Sequence, residues 1–195
     1  MIRYFPIVIT VCITLLISGC IFKQKTWLSD EVKSINPYKI GQELTFISNK
    51  GVENHIKIIR VHGGAFAEGI GAPNNERFKV LAFHNSNSIQ GGKEATIFYL
   101  YAKTDKEEAG MFFSFSMKDA YQRIRSVTVS DFNNRPIIQL DNGYQSLDDV
   151  IHFKRNIIGY INSPKIVEFY WSKSKGYVRL IQGNGVVWDL KSIEN

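Results

Sequence analysis

The sequence predicts a mostly β protein: an antiparallel meander, curved sheet or open barrel with one or two short helices against it. Aromatic residues make up 13% of the 195 residues, a share that favours sheet and a large core over an alanine-rich helical bundle. Short β-rich runs begin near residue 43 and alternate with Gly, Asn, Asp and Ser clusters, which are typical of tight hairpins. Because the intervals are too short for helical crossovers, neighbouring strands are expected to be antiparallel.

Ten runs have this β-type pattern. They are 43–48, 55–62, 79–85, 96–102, 111–116, 126–130, 136–140, 166–171, 177–182 and 186–190. Two stretches between them, 117–125 and 146–155, are predicted as short helices, the second because Leu147, Val150 and Ile151 fall on one helical face. Residues 63–77, with four glycines and no hydrophobic period, are predicted as a mobile loop. No repeat or composition shift divides the rest, so residues 38–195 are predicted to form a single β-rich domain.

Residues 1–19 have the features of a signal peptide. Arg3 supplies a positive charge, and the apolar run 4–17 that follows is shorter than the ~18–20 residues of a membrane-spanning helix. The run ends in Leu16-Ile17-Ser18-Gly19-Cys20, which resembles the lipobox of bacterial lipoproteins. This resemblance implies cleavage before Cys20, a diacylglycerol on its thiol, and attachment to a membrane through acyl chains. The alternatives are a secretory signal with a chance cysteine and an uncleaved N-terminal anchor.

Residues 20–37 are predicted to be a lipid-anchored tether, in which Ser29 caps one short helical turn. Ile21, rather than aspartate, follows the cysteine, and in the enterobacterial pattern that the lipobox resembles this implies the outer membrane. The next charged residues are basic, which favours the leaflet facing the periplasm. The other cysteine, Cys12, lies in the signal peptide, so the mature chain has no thiol for catalysis or for a thiolate metal site.

The titratable residues and glycine motifs provide no catalytic, cofactor-binding or metal-ligating assignment. The histidines are His55, His62, His84 and His152; none is paired at helical ligand spacing, and strict alternation puts His55 and His62 on opposite faces of one strand. Of the carboxylate pairs, Glu107-Glu108 falls in a charged hairpin tip and Asp148-Asp149 in the first turn of a predicted helix. Gly69-Ile70-Gly71 and Gly91-Gly92-Lys93 lack the remaining residues of nucleotide-binding motifs, so no cofactor is predicted.

The formal net charge of +6 does not predict a nucleic-acid partner, because the basic residues are scattered and an exported lipoprotein rarely meets nucleic acid. The densest basic set is Lys165, Lys173, Lys175, Arg179 and Lys191. A solvated strand face explains this set, and the functional alternative is attraction to anionic lipid headgroups.

The two ends of the predicted domain have a distinctive pattern. It consists of Gly41-Gln42-Glu43-Leu44-Thr45-Phe46 near the start, and of Tyr170-Trp171-Ser172, Gly176 and Gly185-Val186-Val187-Trp188-Asp189-Leu190 near the end. This pattern resembles a group of small uncharacterised bacterial envelope lipoproteins. The resemblance leaves residues 60–150 unmatched and implies no activity.

The predicted function is a non-enzymatic, lipid-anchored envelope protein with a binding or scaffolding role. One alternative is an envelope hydrolase whose Asp or His residues converge only in the fold; a histidine hydrogen-bonded to a carboxylate at the floor of a cleft would favour it. The other is a carrier of an apolar ligand, which an apolar pocket of roughly several hundred Å3 would favour.

Overall fold

A computed structural model describes residues 27–67, 74–85, 93–102, 108–117, 120–154 and 164–195. These residues form one antiparallel sheet and two short helices. The strands are β1 (Glu43–Ser48), β2 (Glu53–Ala67), β3 (Asn74–Asn85), β4 (Lys93–Tyr101), β5 (Gly110–Met117), β6 (Ala120–Thr128), β7 (Ile137–Asp141), β8 (Ser146–Lys154), β9 (Ile166–Ser172), β10 (Gly176–Gln182) and β11 (Val187–Glu194). The helices are α1 (Asp30–Lys33) and α2 (Val129–Asn133). Within the described ranges, neither helix has the length and hydropathy needed to traverse a bilayer.

The eleven strands follow the order β6-β5-β4-β3-β2-β1-β11-β10-β9-β8-β7. Strands β1 to β6 form one meander and β7 to β11 form another, and the pairing of β1 with β11 joins the two. Strands β6 and β7 are therefore the two edges of the sheet, although they are consecutive in sequence. The predicted fold class is confirmed: the protein is mostly antiparallel β, a curled half-barrel with two short helices.

Aromatic contacts across the inner face show how strongly the sheet curls. The Phe113 ring on β5 lies 5.0 Å from the Trp171 ring on β9 and 5.1 Å from the Phe153 ring on β8. Phe98 on β4 lies 4.9 Å from Trp171. Because six strands separate β5 from β9 in the sheet order, these rings meet only when the sheet curls around them. The concave face is thus filled with aromatic side chains.

Helix α2 connects the two edge strands and contributes to the same core. The Thr128 hydroxyl caps it by accepting a hydrogen bond of 3.0 Å from the backbone N–H three residues later. Phe132 is 1% exposed, and its ring lies 6.4 Å from Phe113 and 6.3 Å from Phe153. Phe132 therefore contacts both meanders across the interior.

All ten predicted runs overlap a strand, with two differences in extent. The run 126–130 ends at Thr128, because the threonine cap begins α2 there. The prediction of a loop over 63–77 is wrong at both ends: β2 continues to Ala67 and β3 begins at Asn74, and Gly63 pairs with Phe78 in the ladder between them. Residues 68–73 lie outside the described residues.

Both predicted sheet-side helices are wrong. Residues 120–125 belong to β6, which pairs along β5, while 118–119 lie outside the described residues. Residues 146–154 form β8. The reason for the second error is a β-bulge: Ile138 pairs with Val150 but Leu140 pairs with Leu147, so β8 has one extra residue between the two pairs. Apolar residues three apart then face the same side of a strand, which imitates helical spacing.

Candidate functional site

Residues 28–41 cross one end of the half-barrel; we call this segment the strap and the end that it crosses the mouth. The strap begins at Leu28, which is 4% exposed and whose backbone N–H donates to Glu76 Oε2 at 2.7 Å. The other oxygen of Glu76 pairs with Lys33 Nζ at 3.0 Å. Since Glu76 is itself buried on β3, one carboxylate fixes the first part of the strap to the sheet.

The end of the strap is fixed by Tyr38. Its ring meets Trp171 edge-on at 5.7 Å, and its hydroxyl oxygen accepts a hydrogen bond of 2.9 Å from the backbone N–H of Tyr177. Burial raises the pKa of the Tyr38 phenol well above its ordinary value, although the hydrogen bond from Tyr177 acts in the opposite direction. The Tyr38 hydroxyl is therefore neutral at physiological pH and serves as a fixed polar contact inside the mouth.

Between these two attachments, the strap borders a cavity of about 180 Å3. The cavity is lined by Ser34, Ile35, Phe132, Asn133 and Lys173. A hydroxyl, an amide and an ammonium group thus surround an apolar floor. Pockets for drug-sized ligands measure roughly 300–1,000 Å3, so this cavity suits a small polar group rather than an acyl chain.

The turn between β9 and β10, which places Lys173 at the cavity, is held by Asp149. The carboxylate of Asp149 accepts a hydrogen bond of 2.8 Å from Ser174 N, and its backbone carbonyl accepts one of 3.1 Å from Lys173 N. Partial burial disfavours the charged form, but hydrogen bonds from Ser174 and Ser172 outweigh it and hold the pKa of Asp149 below its usual range. Asp149 is thus a turn-anchoring residue on β8, not part of the first turn of a helix.

This lowered pKa predicts a pH-dependent contribution to stability. A folded-state pKa below the unfolded value stabilises the fold above the unfolded pKa, and this stabilisation is lost as pH falls through the folded pKa. Asp149→Asn is expected to lower the free energy of unfolding by about 1 kcal/mol at neutral pH, since the carboxylate is only partly buried. The difference from wild type should shrink below about pH 4. Urea denaturation at several pH values measures it. Asp148→Asn, at the exposed neighbouring residue, is the control; an equal, pH-dependent loss there would contradict the assignment.

The turn between β7 and β8 completes the mouth. Asn142 is 4% exposed, and its amide nitrogen donates to the backbone carbonyl of Leu190 on β11 at 2.9 Å. Gln145 in the same turn accepts a hydrogen bond from Lys175 Nζ of the β9–β10 turn. These contacts leave Tyr144 exposed at the mouth.

The histidines lie away from the mouth cavity. Strand β2 has a bulge between Ile58 and Arg60, where one residue is unpaired with β3. The bulge reverses the alternation, so His55 and His62 both lie on the convex face, and the prediction of opposite faces is wrong. His84 lies in β3.

His152 forms the closest histidine–carboxylate pair among the described residues. Its Nε2 lies 3.0 Å from Glu168 Oε2, and Lys154 Nζ lies 3.1 Å from the other oxygen of Glu168. Partial burial opposes ionisation of Glu168, but hydrogen bonds from Lys154 and His152 hold its pKa below the usual range. The His152 ring also stacks on Tyr170 at 4.5 Å. Across the described ranges, no group of three or more His, Cys, Asp or Glu residues is close enough to hold a metal ion.

Other residues singled out in the sequence have structural partners or lie outside the description. Glu108 accepts a hydrogen bond from Ser130 N at the start of α2. In the basic set, Arg179 pairs with Asp189 on the neighbouring strand, and Lys191 pairs with a glutamate on β2. The predicted lipid-attachment residue, Cys20, lies outside the described residues, as do Glu107 and both glycine motifs apart from Lys93.

The strap is the part of this site that the sequence analysis missed. Its apolar residues Leu28, Val32 and Ile35 recur at helical spacing of four and three, and all three pack on the core. This short pattern was available in the sequence but fell within the predicted tether. Comparison of the chain with protein-family models, curated proteins and solved structures finds no match.

Proposed function

We propose that this chain is a lipid-anchored bacterial envelope protein, attached through acyl chains on Cys20, whose β domain has a non-enzymatic binding or scaffolding role. The strap is the observation that supports this most directly. Leu28, which follows Cys20 by eight residues, is already buried and hydrogen-bonded to β3. A chain fixed so soon after the anchor keeps the domain close to the surface that holds it.

The filled interior supports binding at the surface. Trp171, Tyr177, Phe98 and Phe113 are almost completely buried on the concave face and contact one another. The cavity at the mouth is small and has polar groups at its rim. These features favour recognition by the outer surface or the mouth over enclosure of an apolar ligand.

The buried carboxylates support a non-enzymatic role, because they have structural tasks. Glu76 holds the strap, Asp149 holds the β9–β10 turn, and Glu108 caps α2. Each is occupied by a backbone N–H donor, so these groups act as anchors of the main chain.

The hydrolase alternative has one specific observation in its favour, the hydrogen bond between His152 and Glu168. A carboxylate that orients a histidine is two-thirds of a nucleophile–histidine–carboxylate arrangement. In the described part of the chain, the hydrogen-bond partner of His152 is Glu168, and a nucleophile is not among its contacts. Hydrolysis of ester or amide substrates that disappears in His152→Ala would establish the alternative.

We further propose that the protein resides in the outer membrane and faces the periplasm. Ile21 after the acylated cysteine and the basic residues Lys23 and Lys25 support this location.

Replacement of Cys20 tests the anchor. Cys20→Ser is expected to abolish acylation, because a serine hydroxyl is a poor nucleophile compared with a thiol, and to leave residues 38–195 folded. Metabolic labelling with a fatty-acid analogue and intact-mass analysis of the mature protein measure the result. Cys12→Ser is the matched control and should label like wild type. Wild-type protein without lipid mass at Cys20, or equal labelling of Cys20→Ser, would contradict the proposal.

A further inference from the structure

We propose that the mouth of the half-barrel rests on the membrane that holds Cys20, with Trp27, Ile40 and Tyr144 at the lipid–water interface. This inference rests on the proposed lipid anchor and adds to it a fixed orientation of the domain. Its occupant is the lipid surface itself.

The length of chain between Cys20 and the described residues limits where the domain can lie. Trp27 follows Cys20 by seven residues. Fully extended, these residues span at most about 24 Å. A compact domain of this size has a diameter of roughly 40 Å. The start of the strap is therefore held nearer to the membrane than the width of the domain, and the strap lies across the mouth.

Exposed hydrophobic side chains are concentrated at the same end. Trp27 is 60% exposed, Ile40 is 64% exposed and Tyr144 is 48% exposed. Trp27 and Ile40 flank the strap residues that are fixed to the sheet, and Tyr144 lies in the β7–β8 turn. Tryptophan and tyrosine are the residues enriched where proteins meet the membrane–water interface. At the opposite end, the turn between β1 and β2 exposes Val52.

Charges at the mouth are mixed. Lys39 and Lys173 are exposed there, and so are the acidic residues Asp30, Glu31 and Asp131 on the two helices. Because both signs are present, attraction to anionic headgroups is not the source of the contact. Burial of apolar side chains is, so the contact should be insensitive to salt, which screens exposed charges.

Tryptophan fluorescence in the acylated full-length protein tests the orientation. Trp27 is the exposed tryptophan of the three; Trp171 and Trp188 are buried. The mature protein is reconstituted into phosphatidylcholine vesicles whose acyl chains are brominated and quench nearby indole rings. Ile40→Trp and Tyr144→Trp, each made in the Trp27→Phe background, report on the rest of the mouth. Val52→Trp in the same background is the matched reporter at the opposite end.

We expect quenching of Trp27 in wild type and of the Ile40→Trp and Tyr144→Trp reporters, little quenching of the Val52→Trp reporter, and no change on raising the salt concentration. Equal quenching of the Ile40→Trp and Val52→Trp reporters would show a domain without fixed orientation and overturn the inference. Loss of quenching in high salt would overturn the apolar contact. Unquenched mouth reporters on protein with lipid mass at Cys20 would refute the orientation and leave the anchor standing, whereas absence of that mass would refute the anchor itself.

Discussion

Phe113→Ala is expected to lower the free energy of unfolding by about 3–5 kcal/mol, a large share of the roughly 5–15 kcal/mol available to a domain. Phe113 is completely buried, and its ring contacts those of Phe98, Phe132, Phe153, Phe169, Trp171 and Tyr177. These rings come from both meanders and from α2. Removal of the Phe113 ring therefore opens a cavity at the place where the two meanders pack together, and the rigid neighbours cannot fill it.

The residue before it is the matched control. Phe112 points to the opposite side of β5, where its half-buried ring stacks on Tyr99 at 5.0 Å. Phe112→Ala should cost about 1 kcal/mol or less, the range for one cross-strand pair. The urea midpoints of the two variants, at unchanged slope, measure the difference. Equal losses would show that the concave aromatic cluster does not hold the meanders together.

Gly176→Ala is expected to have the second largest effect. Gly176 has a φ of 80°, a left-handed conformation that costs L-residues roughly 1–2 kcal/mol. A Cβ there would also lie 2.1 Å from the Tyr38 hydroxyl oxygen. Tyr38 is buried against Trp171 and has no free space to retreat, so the substitution should also break its hydrogen bond to Tyr177 N and loosen the strap. The total expected loss is about 3 kcal/mol or more.

Gly185→Ala separates the backbone strain from the collision. Gly185 has the same φ of 80°, but a Cβ at this position would meet no atom within 4 Å. Gly185→Ala should therefore show only the conformational cost. Thermal or urea denaturation measures both variants, and proteolysis within the strap should accelerate only in Gly176→Ala. Equal destabilisation by the two variants would show that Tyr38 does not pack tightly on the turn.

The β class was predictable because it depends on local properties. Turn residues and β-branched or aromatic runs locate strands one at a time, and β1 has the predicted bounds. The bulges were not predictable from such patterns. At one of them, Ile97 is the unpaired residue of β4, and its carbonyl lies 3.1 Å from the Tyr177 hydroxyl on distant β10. A bulge satisfied by a side chain eighty positions away leaves no signal in its own neighbourhood.

The mouth was not predictable for a related reason. Its cavity is formed by Ser34 and Ile35 of the strap, by α2 and by Lys173 in the β9–β10 turn, which are far apart in sequence. The carboxylates that hold these parts, Glu76 and Asp149, look like ordinary strand residues because their partners are backbone N–H groups. Any residue type presents that donor, so no motif marks the position.

The pairing of β1 with β11 determines when the fold can be completed. Leu44 pairs with Ile193, and Gln42 donates a hydrogen bond of 3.1 Å to Asn195, so the first strand of the sheet waits for the last residues of the chain. All other strand pairs join neighbours in sequence and can form while the polypeptide is still emerging. Until β11 arrives, one side of β1 is an unpaired edge able to recruit strands from other chains. The slow, long-range closure of this seam is the step at which a partly delivered chain is most prone to aggregate.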